Sequence, residues 1–364
     1  MHRNKTGCFF VLVLFNLSLQ GQHDYRYALP PVLNDGWETA DLRATPTDTT
    51  RLYQLLSQLH LGPNKMHSML IVKDGQLVVE EYFNESHLAD SHDLRSVTKS
   101  FRSLLMGIAL DQGFIESIDD PIFKYLPHLS PGKHPDSRKQ QITIRHLLTM
   151  ASGLDCNDWD KKSAGQEDKV HKKKDWLQFT IDLPMLHDPG AVSSYCSMGT
   201  VLVAEIISQA SGMPIDRFAA QYLFEPLGIT QHRWGHTSNK AVIPAAKRLY
   251  MTSRDLAKIG KLIMDNGVWY GSQIVSKSWL TESTSMKTQL AGRAYGYLWW
   301  HIPIPHQGKT YLPITAMGNG GQYLFLLPDL QLMVVFTGGA YNSPDDKLPF
   351  AIMQKVVLPI FATD

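Results

Sequence analysis

Strand-forming segments lie near both ends of the 364-residue sequence, and helical periodicity fills the region between them. Near the amino terminus, residues 67–83 contain two β-branched, apolar runs around Asp74-Gly75, a dipeptide typical of two-residue hairpin turns. Near the carboxyl terminus, residues 323–327 and 330–337 are also strand-like and follow the turn Asn319-Gly320-Gly321. An apolar strand needs partners to be stable. We therefore predict one antiparallel sheet that joins both ends of the chain.

Helical spacing dominates the centre of the sequence. Apolar residues at 97, 101, 104, 105 and 108 predict a helix over 96–112 that ends at Gly113. Further helices are predicted at 119–126, 142–150, 174–182, 199–211, 214–225, 253–266, 276–284 and 349–361. The predicted fold class is α+β: an antiparallel sheet flanked by helices, with a mainly helical lobe, about residues 115–290, inserted between the amino- and carboxyl-terminal strands of the sheet. A cleft between lobe and sheet is the expected position of a functional site.

The first residues have the layout of a secretory signal. His2, Arg3 and Lys5 precede a twelve-residue apolar stretch, 8–19, which is too short to span a bilayer. We expect residues 1–22 to be a signal peptide and 23–364 to form one domain; an uncleaved anchor helix and a buried strand are the alternatives for the apolar stretch. The expected location is periplasmic or secreted, and we expect no stable membrane insertion of the mature chain.

The charge balance excludes one class of partner. With 35 basic and 34 acidic side chains, the net charge is +1, so the chain has no surplus of positive charge for binding a nucleic acid. The pair His232 and His236 has helical metal-ligand spacing, but Trp234 and Gly235 between them favour a loop. We expect no metal and no cofactor. The sequence leaves the oligomeric state open.

One motif at the start of the predicted helix 96–112 can carry catalytic chemistry. Ser96-Val97-Thr98-Lys99 places a lysine one helical turn after a serine, and side chains at i and i+3 lie on the same helix face. The lysine can therefore reach the serine hydroxyl and assist its deprotonation. A helix N-terminus also favours developing negative charge. On its own the motif is weak, because an N-cap serine followed by a solvated lysine has the same pattern.

Three more segments accompany this motif in a specific order. They are 141–154 (QITIRHLLTMASGL), 188–197 (DPGAVSSYCS) and 317–328 (MGNGGQYLFLLP). Together with Ser96-Val97-Thr98-Lys99 they resemble the serine β-lactamase-like hydrolases, over roughly residues 50–361. The nearest branch contains class C β-lactamases, D-alanyl-D-alanine carboxypeptidases, esterases and 6-aminohexanoate-dimer hydrolases. The resemblance implies a β-lactamase/transpeptidase-like fold.

The resemblance also implies roles for individual residues. Ser96 would be the acylated nucleophile, Lys99 its proton partner, and Tyr195 the group that exchanges a proton with Ser96 and the leaving group. A phenol is a weak base unless a nearby cation stabilises its phenolate, and Lys99 can supply that charge. Ser197 occupies a position where asparagine is more usual, and its hydroxyl could bind Lys99 or a substrate amide.

The segment 317–328 departs furthest from the family pattern. Where class C enzymes have Lys-Thr-Gly, this chain has Ala316-Met317-Gly318, so the cation that would hold a substrate carboxylate is missing. Gly318 would let a substrate approach the strand, and the backbone N–H groups of Ser96 and Asn319 would form the oxyanion hole. From the missing lysine we expect neutral short-chain esters to be better substrates than penicillins or D-Ala-D-Ala peptides.

The resemblance implies an exported serine hydrolase that acts on small ester or amide substrates. A D-alanyl-D-alanine carboxypeptidase or a class C-like β-lactamase is the alternative within the same chemistry. A non-catalytic module that binds penicillin or peptidoglycan is the alternative from another class. Cys156 and Cys196 lie close in sequence to the motifs of the expected cleft, so either a disulfide or two free thiols is possible.

Overall fold

The computed structural model describes residues 25–44, 47–236 and 242–362. The predicted signal peptide, 1–22, lies outside the described residues. The strands, in chain order, are β1 Met66–Lys73, β2 Gln76–Tyr82, β3 His92–Asp93, β4 His232–Gly235, β5 Arg248–Met251, β6 Val268–Trp269, β7 Ser272–Gln273, β8 Thr288–Leu290, β9 Arg293–Tyr295, β10 Trp300–His301, β11 Ile304–His306, β12 Lys309–Tyr311, β13 Ile314–Gly318, β14 Gln322–Leu327 and β15 Leu332–Gly338.

Eight of these strands form one antiparallel sheet in the order β2-β1-β15-β14-β13-β10-β9-β8. Strand β1, near the amino terminus, pairs with β15, near the carboxyl terminus, and Ile71 lies opposite Val334. The predicted sheet that joins both ends of the chain is confirmed. The β1–β2 turn has positive φ angles at Asp74 (52°) and Gly75 (79°), as a type I′ hairpin turn requires.

The helices fall into two layers around the sheet. They are α1 Thr50–Leu61, α2 Val97–Asp111, α3 Ile144–Leu148, α4 Glu167–Val170, α5 Trp176–Ile181, α6 Ser197–Ser211, α7 Ile215–Ala219, α8 Ser253–Met264, α9 Lys277–Thr284, α10 Leu348–Ile352 and α11 Leu358–Phe361. Helices α1, α10 and α11 contribute to the apolar core on one face of the sheet. Helices α2 and α8, with most of the central helices, contribute to the core on the other face. No helix in the described part of the chain is both long and apolar enough to cross a bilayer.

Burial on both faces explains why the sheet strands read as continuous apolar runs. Along β1, Leu70 and Val72 face the core that contains α2, whereas Met69 and Ile71 face the core that contains α1. Successive strand side chains point to opposite faces, and here both faces exclude water. The α+β fold with an antiparallel sheet flanked by helices is thus the observed fold.

Two local predictions were wrong. Residues 119–126 form only a short 3-10 turn, Ile122–Lys124, because Pro121 and Pro127 bracket a segment too short for an α-helix. The expected loop around His232 is strand β4, which pairs with β5 in a small sheet of order β3-β5-β4. This small sheet ends beside the start of α2, where the first catalytic motif lies.

Candidate active site

A tight turn presents Ser96 at the amino end of α2. Arg95 has a φ of 50°, in the left-handed region that non-glycine residues rarely adopt. Its backbone N–H donates to Asp93 Oδ1 at 3.0 Å, which helps to hold this turn. Ser96 is therefore the N-cap residue of α2, and its side chain makes no capping hydrogen bond. The hydroxyl is left for other chemistry.

Lys99 meets Ser96 as the i, i+3 spacing predicts. Its Nζ donates to Ser96 Oγ at 2.9 Å, and the lysine is only 8% exposed. Tyr195 lies beside this pair, with its ring centroid 4.9 Å from Lys99 Nζ. A cation at this position stabilises negative charge on a neighbouring phenolic oxygen. Three residues from two distant segments thus converge on one cluster.

A disulfide holds the segment that carries Tyr195. Cys156 is bonded to Cys196, which also begins α6 by accepting a hydrogen bond from Gly199. Of the two possibilities left open by the sequence, the structure has the disulfide. The disulfide joins the loop after residue 154 to the start of α6. Because Cys196 directly follows Tyr195, the bond restricts the backbone at Tyr195.

Aromatic rings form one wall of the cleft. The ring of Trp159 stacks on Tyr195 with a centroid distance of 4.6 Å and an interplanar angle of 1°. Trp300 lies 5.9 Å from Tyr195 and 6.3 Å from Trp159. Trp159 is 55% exposed, so its outer face meets solvent. These contacts restrict the Tyr195 ring to one orientation beside Lys99.

Asp158 lies in the segment 155–159, which follows the Ser152-Gly153-Leu154 turn and which the sequence allows as a rim of the cleft without assigning a role to Asp158. Its Oδ2 accepts a hydrogen bond from the Ser197 backbone N–H at 2.8 Å, and its own N–H donates to Tyr195 O at 2.9 Å. Among the described residues, its Oδ1 is buried without a hydrogen-bond partner. Burial raises the pKa of the Asp158 carboxyl to about 6; Glu167 adds to the rise, while Lys99 and Ser197 oppose it.

Ser197 faces this carboxylate. It is 5% exposed, and its backbone N–H donates to Asp158 Oδ2 at 2.8 Å. Within the described residues no hydrogen bond joins Ser197 to Lys99. The structure therefore links this position to Asp158 through the Ser197 backbone N–H.

Gly318 and Asn319 bring the end of β13 against Ser96. A Cβ atom on Gly318 would lie 2.4 Å from Leu94 O and 3.2 Å from the Ser96 nitrogen, so only glycine allows this approach. The Asn319 side chain is tied to Asn342 by two hydrogen bonds, of 2.7 and 2.9 Å. Ala316 is 1% exposed, and neither it nor Met317 carries a cation.

Two cavities meet at Ser96 and Asn319. The aromatic cavity, of about 330 Å³, is lined by Trp159, Tyr195, Trp300, Met317 and Lys347, among others. The arginine cavity, of about 110 Å³, has these lining residues among others: Arg95, Lys99, Arg102, Glu167, His171 and Arg248. A bound substrate can thus extend in two directions from the serine. In the described residues no group of three or more His, Cys, Asp or Glu side chains could hold a metal ion.

Comparison with known proteins gives a consistent family. A family model described as Beta-lactamase matches residues 64–355. The 6-aminohexanoate-dimer hydrolase of Paenarthrobacter ureafaciens is 23% identical over 313 residues, which cover 80% of this chain and 76% of that protein.

Solved structures share the fold. A penicillin-binding protein homologue from Pyrococcus abyssi, which is octameric, superimposes with a TM-score of 0.62 and 20% identity, covering 80% of this chain and 73% of that one. EstCE1, a hydrolase with promiscuous acyltransferase activity, superimposes with a TM-score of 0.66 and 15% identity, covering 82% and 96%. At these identities the likeness concerns the fold alone.

Proposed function

The chain belongs to the beta-lactamase family, and on that premise we propose that it is an exported serine hydrolase that cleaves small ester or amide substrates through an acyl-enzyme on Ser96. The observation that carries the proposal is the 2.9 Å hydrogen bond from Lys99 Nζ to Ser96 Oγ beside the ring of Tyr195. A nucleophile, a cation and a phenol in this arrangement have the parts that acyl transfer needs.

In the proposed reaction, Ser96 Oγ attacks the substrate carbonyl while its proton passes to Tyr195, whose phenolate Lys99 stabilises. The backbone N–H groups of Ser96 and Asn319 hold the oxyanion that forms. Tyr195 then gives its proton to the departing alcohol or amine, and the acyl group remains on Ser96. Water attacks the ester so formed and gives a proton to Tyr195, which passes that proton to the departing Ser96 Oγ, so that the carboxylic acid is released and the Ser96 hydroxyl and Tyr195 phenolate are restored.

The alternative functions would require different residues in the cleft. A D-alanyl-D-alanine carboxypeptidase or class C-like β-lactamase would use the same serine together with Lys-Thr-Gly on the strand beside it, where this chain has Ala316-Met317-Gly318. A non-catalytic module that binds penicillin or peptidoglycan would have no need of the complete set Ser96, Lys99 and Tyr195. These points favour the esterase or amidase activity.

The test pairs covalent labelling with turnover. Wild-type protein should react with a fluorophosphonate probe and hydrolyse 4-nitrophenyl butyrate over many cycles. Ser96→Ala should lose labelling and lose about 10³–10⁶-fold in kcat. The matched control is Ser103→Ala on the same helix, because Ser103 is buried, lies outside the cleft and has no hydrogen-bond partner among the described residues for its hydroxyl. A Ser96→Ala protein that keeps a tenth of the activity would refute the proposal; labelling without turnover would favour the binding module.

A further inference from the structure

Arginine residues from two separate parts of the chain line the arginine cavity, which also contains Ser96. Arg95 directly precedes the serine, Arg102 lies on α2, and Arg248 begins β5. The aromatic cavity, which also contains Ser96, has no arginine in its lining among the described residues. Its one basic lining residue in this part of the chain is Lys347, whose side chain is 58% exposed and pairs with Asp346 at 3.2 Å. The two directions open to a substrate therefore differ strongly in charge.

Arg95 and Arg248 share a single carboxylate. Arg95 Nε lies 3.0 Å from Asp93 Oδ2, and Arg248 Nη2 lies 3.1 Å from the same oxygen. Arg248 Nε also donates to Asp93 Oδ1 at 3.2 Å. Arg248 therefore binds Asp93 through Nε and Nη2 and not through Nη1. One carboxylate cannot neutralise two guanidinium groups. An excess of positive charge remains beside the nucleophile.

Arg102 adds to this excess. Its guanidinium is 4% exposed and donates only to neutral oxygens: Thr200 Oγ1 at 2.6 Å, Ala245 O at 2.8 Å and Lys247 O at 3.2 Å. Burial lowers the pKa of Arg102 to about 10, which still leaves it charged at neutral pH. Glu167 is the carboxylate on this cavity's wall that opposes it. Among the described residues, three guanidinium groups and Lys99 thus face three carboxylates, those of Asp93, Glu167 and Asp158, which leaves one positive charge in excess.

The histidines of the cavity add no positive charge at neutral pH. Burial lowers the pKa of His171. Burial, Arg248 and His171 together lower the pKa of His236 to about 4. An anion entering the cavity would therefore meet the arginines and Lys99 as its cationic partners.

We propose that the arginine cavity binds a carboxylate of the substrate, through Arg248 and Arg95, so that the preferred substrates are short linear esters or amides that carry a carboxylate close to the scissile carbonyl. The proposal rests on the hydrolase function proposed above and names its substrate class. It also replaces the expectation of neutral substrates, since the arginines of this cavity would supply the cation that residues 316–318 lack.

The cavity has room for a carboxylate, with a volume of about 110 Å³. The planar guanidinium fork also matches the two oxygens of a carboxylate.

The experiment compares isosteric substrates that differ only in charge. Monoethyl succinate and ethyl succinamate place a carboxylate or a neutral amide on the acyl side. Butyryloxyacetate and butyryloxyacetamide place them on the alcohol side. The readout is the carboxylate-to-amide ratio of kcat/KM, measured on one protein sample, so that any partial loss of folded protein cancels. The wild-type ratio should be about tenfold or more for at least one pair, as expected for a hydrogen bond to a charged group.

Variants assign the ratio to a cavity. Arg248→Gln and Arg95→Gln should reduce it towards one, and Arg248→Lys should keep part of it. Lys347→Gln, which removes the cation of the aromatic cavity, should leave the ratio as in the wild type. A wild-type ratio near one, failure to hydrolyse either pair, or a ratio that depends on Lys347 and not on Arg248 would overturn the proposal. Ser96→Ala is assayed alongside. Activity in this variant would refute the hydrolase mechanism itself. If Ser96→Ala is inactive but the wild-type carboxylate-to-amide ratio is near one, only the carboxylate site is refuted.

Discussion

At the scale of single residues, Lys99 and Tyr195 act as one unit with Ser96. Because both serve the same proton transfer, Lys99→Ala and Tyr195→Phe should each reduce kcat nearly as much as Ser96→Ala, and the double variant should be little worse than either one. Steady-state kinetics of the two single variants and the double variant measure this coupling. Losses that multiply in the double variant would mean that one of the two residues has only a structural part.

Asp158 should favour catalysis at the expense of stability. Its pKa is about 6 in the folded protein and near 3.8 in an unfolded chain, so the folded protein holds a proton that the unfolded chain releases between these pH values. The destabilising effect is therefore absent below about pH 4 and complete above about pH 6, where it is of the order of 2–3 kcal/mol.

Asp158→Asn should accordingly raise the free energy of unfolding at pH 7 more than at pH 4. It should also reduce kcat, because the carboxylate that faces Lys99 and holds Ser197 is lost. Urea denaturation at the two pH values, together with the pH profile of kcat/KM, tests both parts. The wild-type profile should fall below about pH 6, and that inflection should be missing in the variant. An equal stability change at both pH values would contradict this account.

At the scale of elements, α2 owes its position to a close contact with α9. A Cβ atom on Gly107 would lie 2.0 Å from Cδ1 of Trp279, whose Nε1 donates to Ser103 O at 2.9 Å. Gly107→Ala gains up to about 1 kcal/mol in helix propensity but forces the buried indole to move. We expect the free energy of unfolding to fall by about 1–2 kcal/mol, with lower activity because the amino end of α2 shifts.

The matched control is Gly199→Ala on α6, where the nearest atoms would be 3.8 Å from the new Cβ. Its free energy of unfolding should stay the same or rise by up to about 1 kcal/mol. Chemical denaturation of both variants measures the difference. Equal effects at Gly107 and Gly199 would mean that the contact with Trp279 does not position α2.

Elements with a local signal were predictable from the sequence, and elements that depend on distant partners were not. The Asp74-Gly75 turn and the apolar spacing of α2 contain their own evidence. Strands β8, β9 and β10 have two or three residues each, so only their pairing in the sheet defines them. Helix α1 was missed although Leu52, Leu55, Leu56 and Leu59 have helical spacing.

The same distinction holds for the site. Ser96 and Lys99 could be placed together because one helix carries both. The convergence of Tyr195 on that pair came from the resemblance to a family and from no feature of the spacing. Arg248 could not be placed near Ser96 at all, since the contact depends on β5 pairing with β3. The sequence shows only that residues 316–318 carry no cation.

At the scale of the whole molecule, the disulfide limits the unfolded chain as well as fixing the site. Cys156 and Cys196 are 40 residues apart in sequence, and closing a loop of that length in the unfolded state corresponds to about 4 kcal/mol at 25 °C in the chain-entropy model. The enclosed segment contains Asp158, Trp159 and Tyr195, so the same bond that stabilises the protein also orders one wall of its cleft.

Removing the bond should therefore reduce stability and activity together. We expect Cys156→Ala/Cys196→Ala to lower the free energy of unfolding by about 2–4 kcal/mol and to reduce kcat through looser placement of Tyr195. Dithiothreitol should bring the wild-type protein to the same values and leave the double variant unchanged, which separates loss of the bond from loss of the side chains. Thiol titration of unfolded, unreduced protein is the direct check. Two reactive thiols within residues 23–364 would contradict the bond, because Cys156 and Cys196 are the two cysteines of that region.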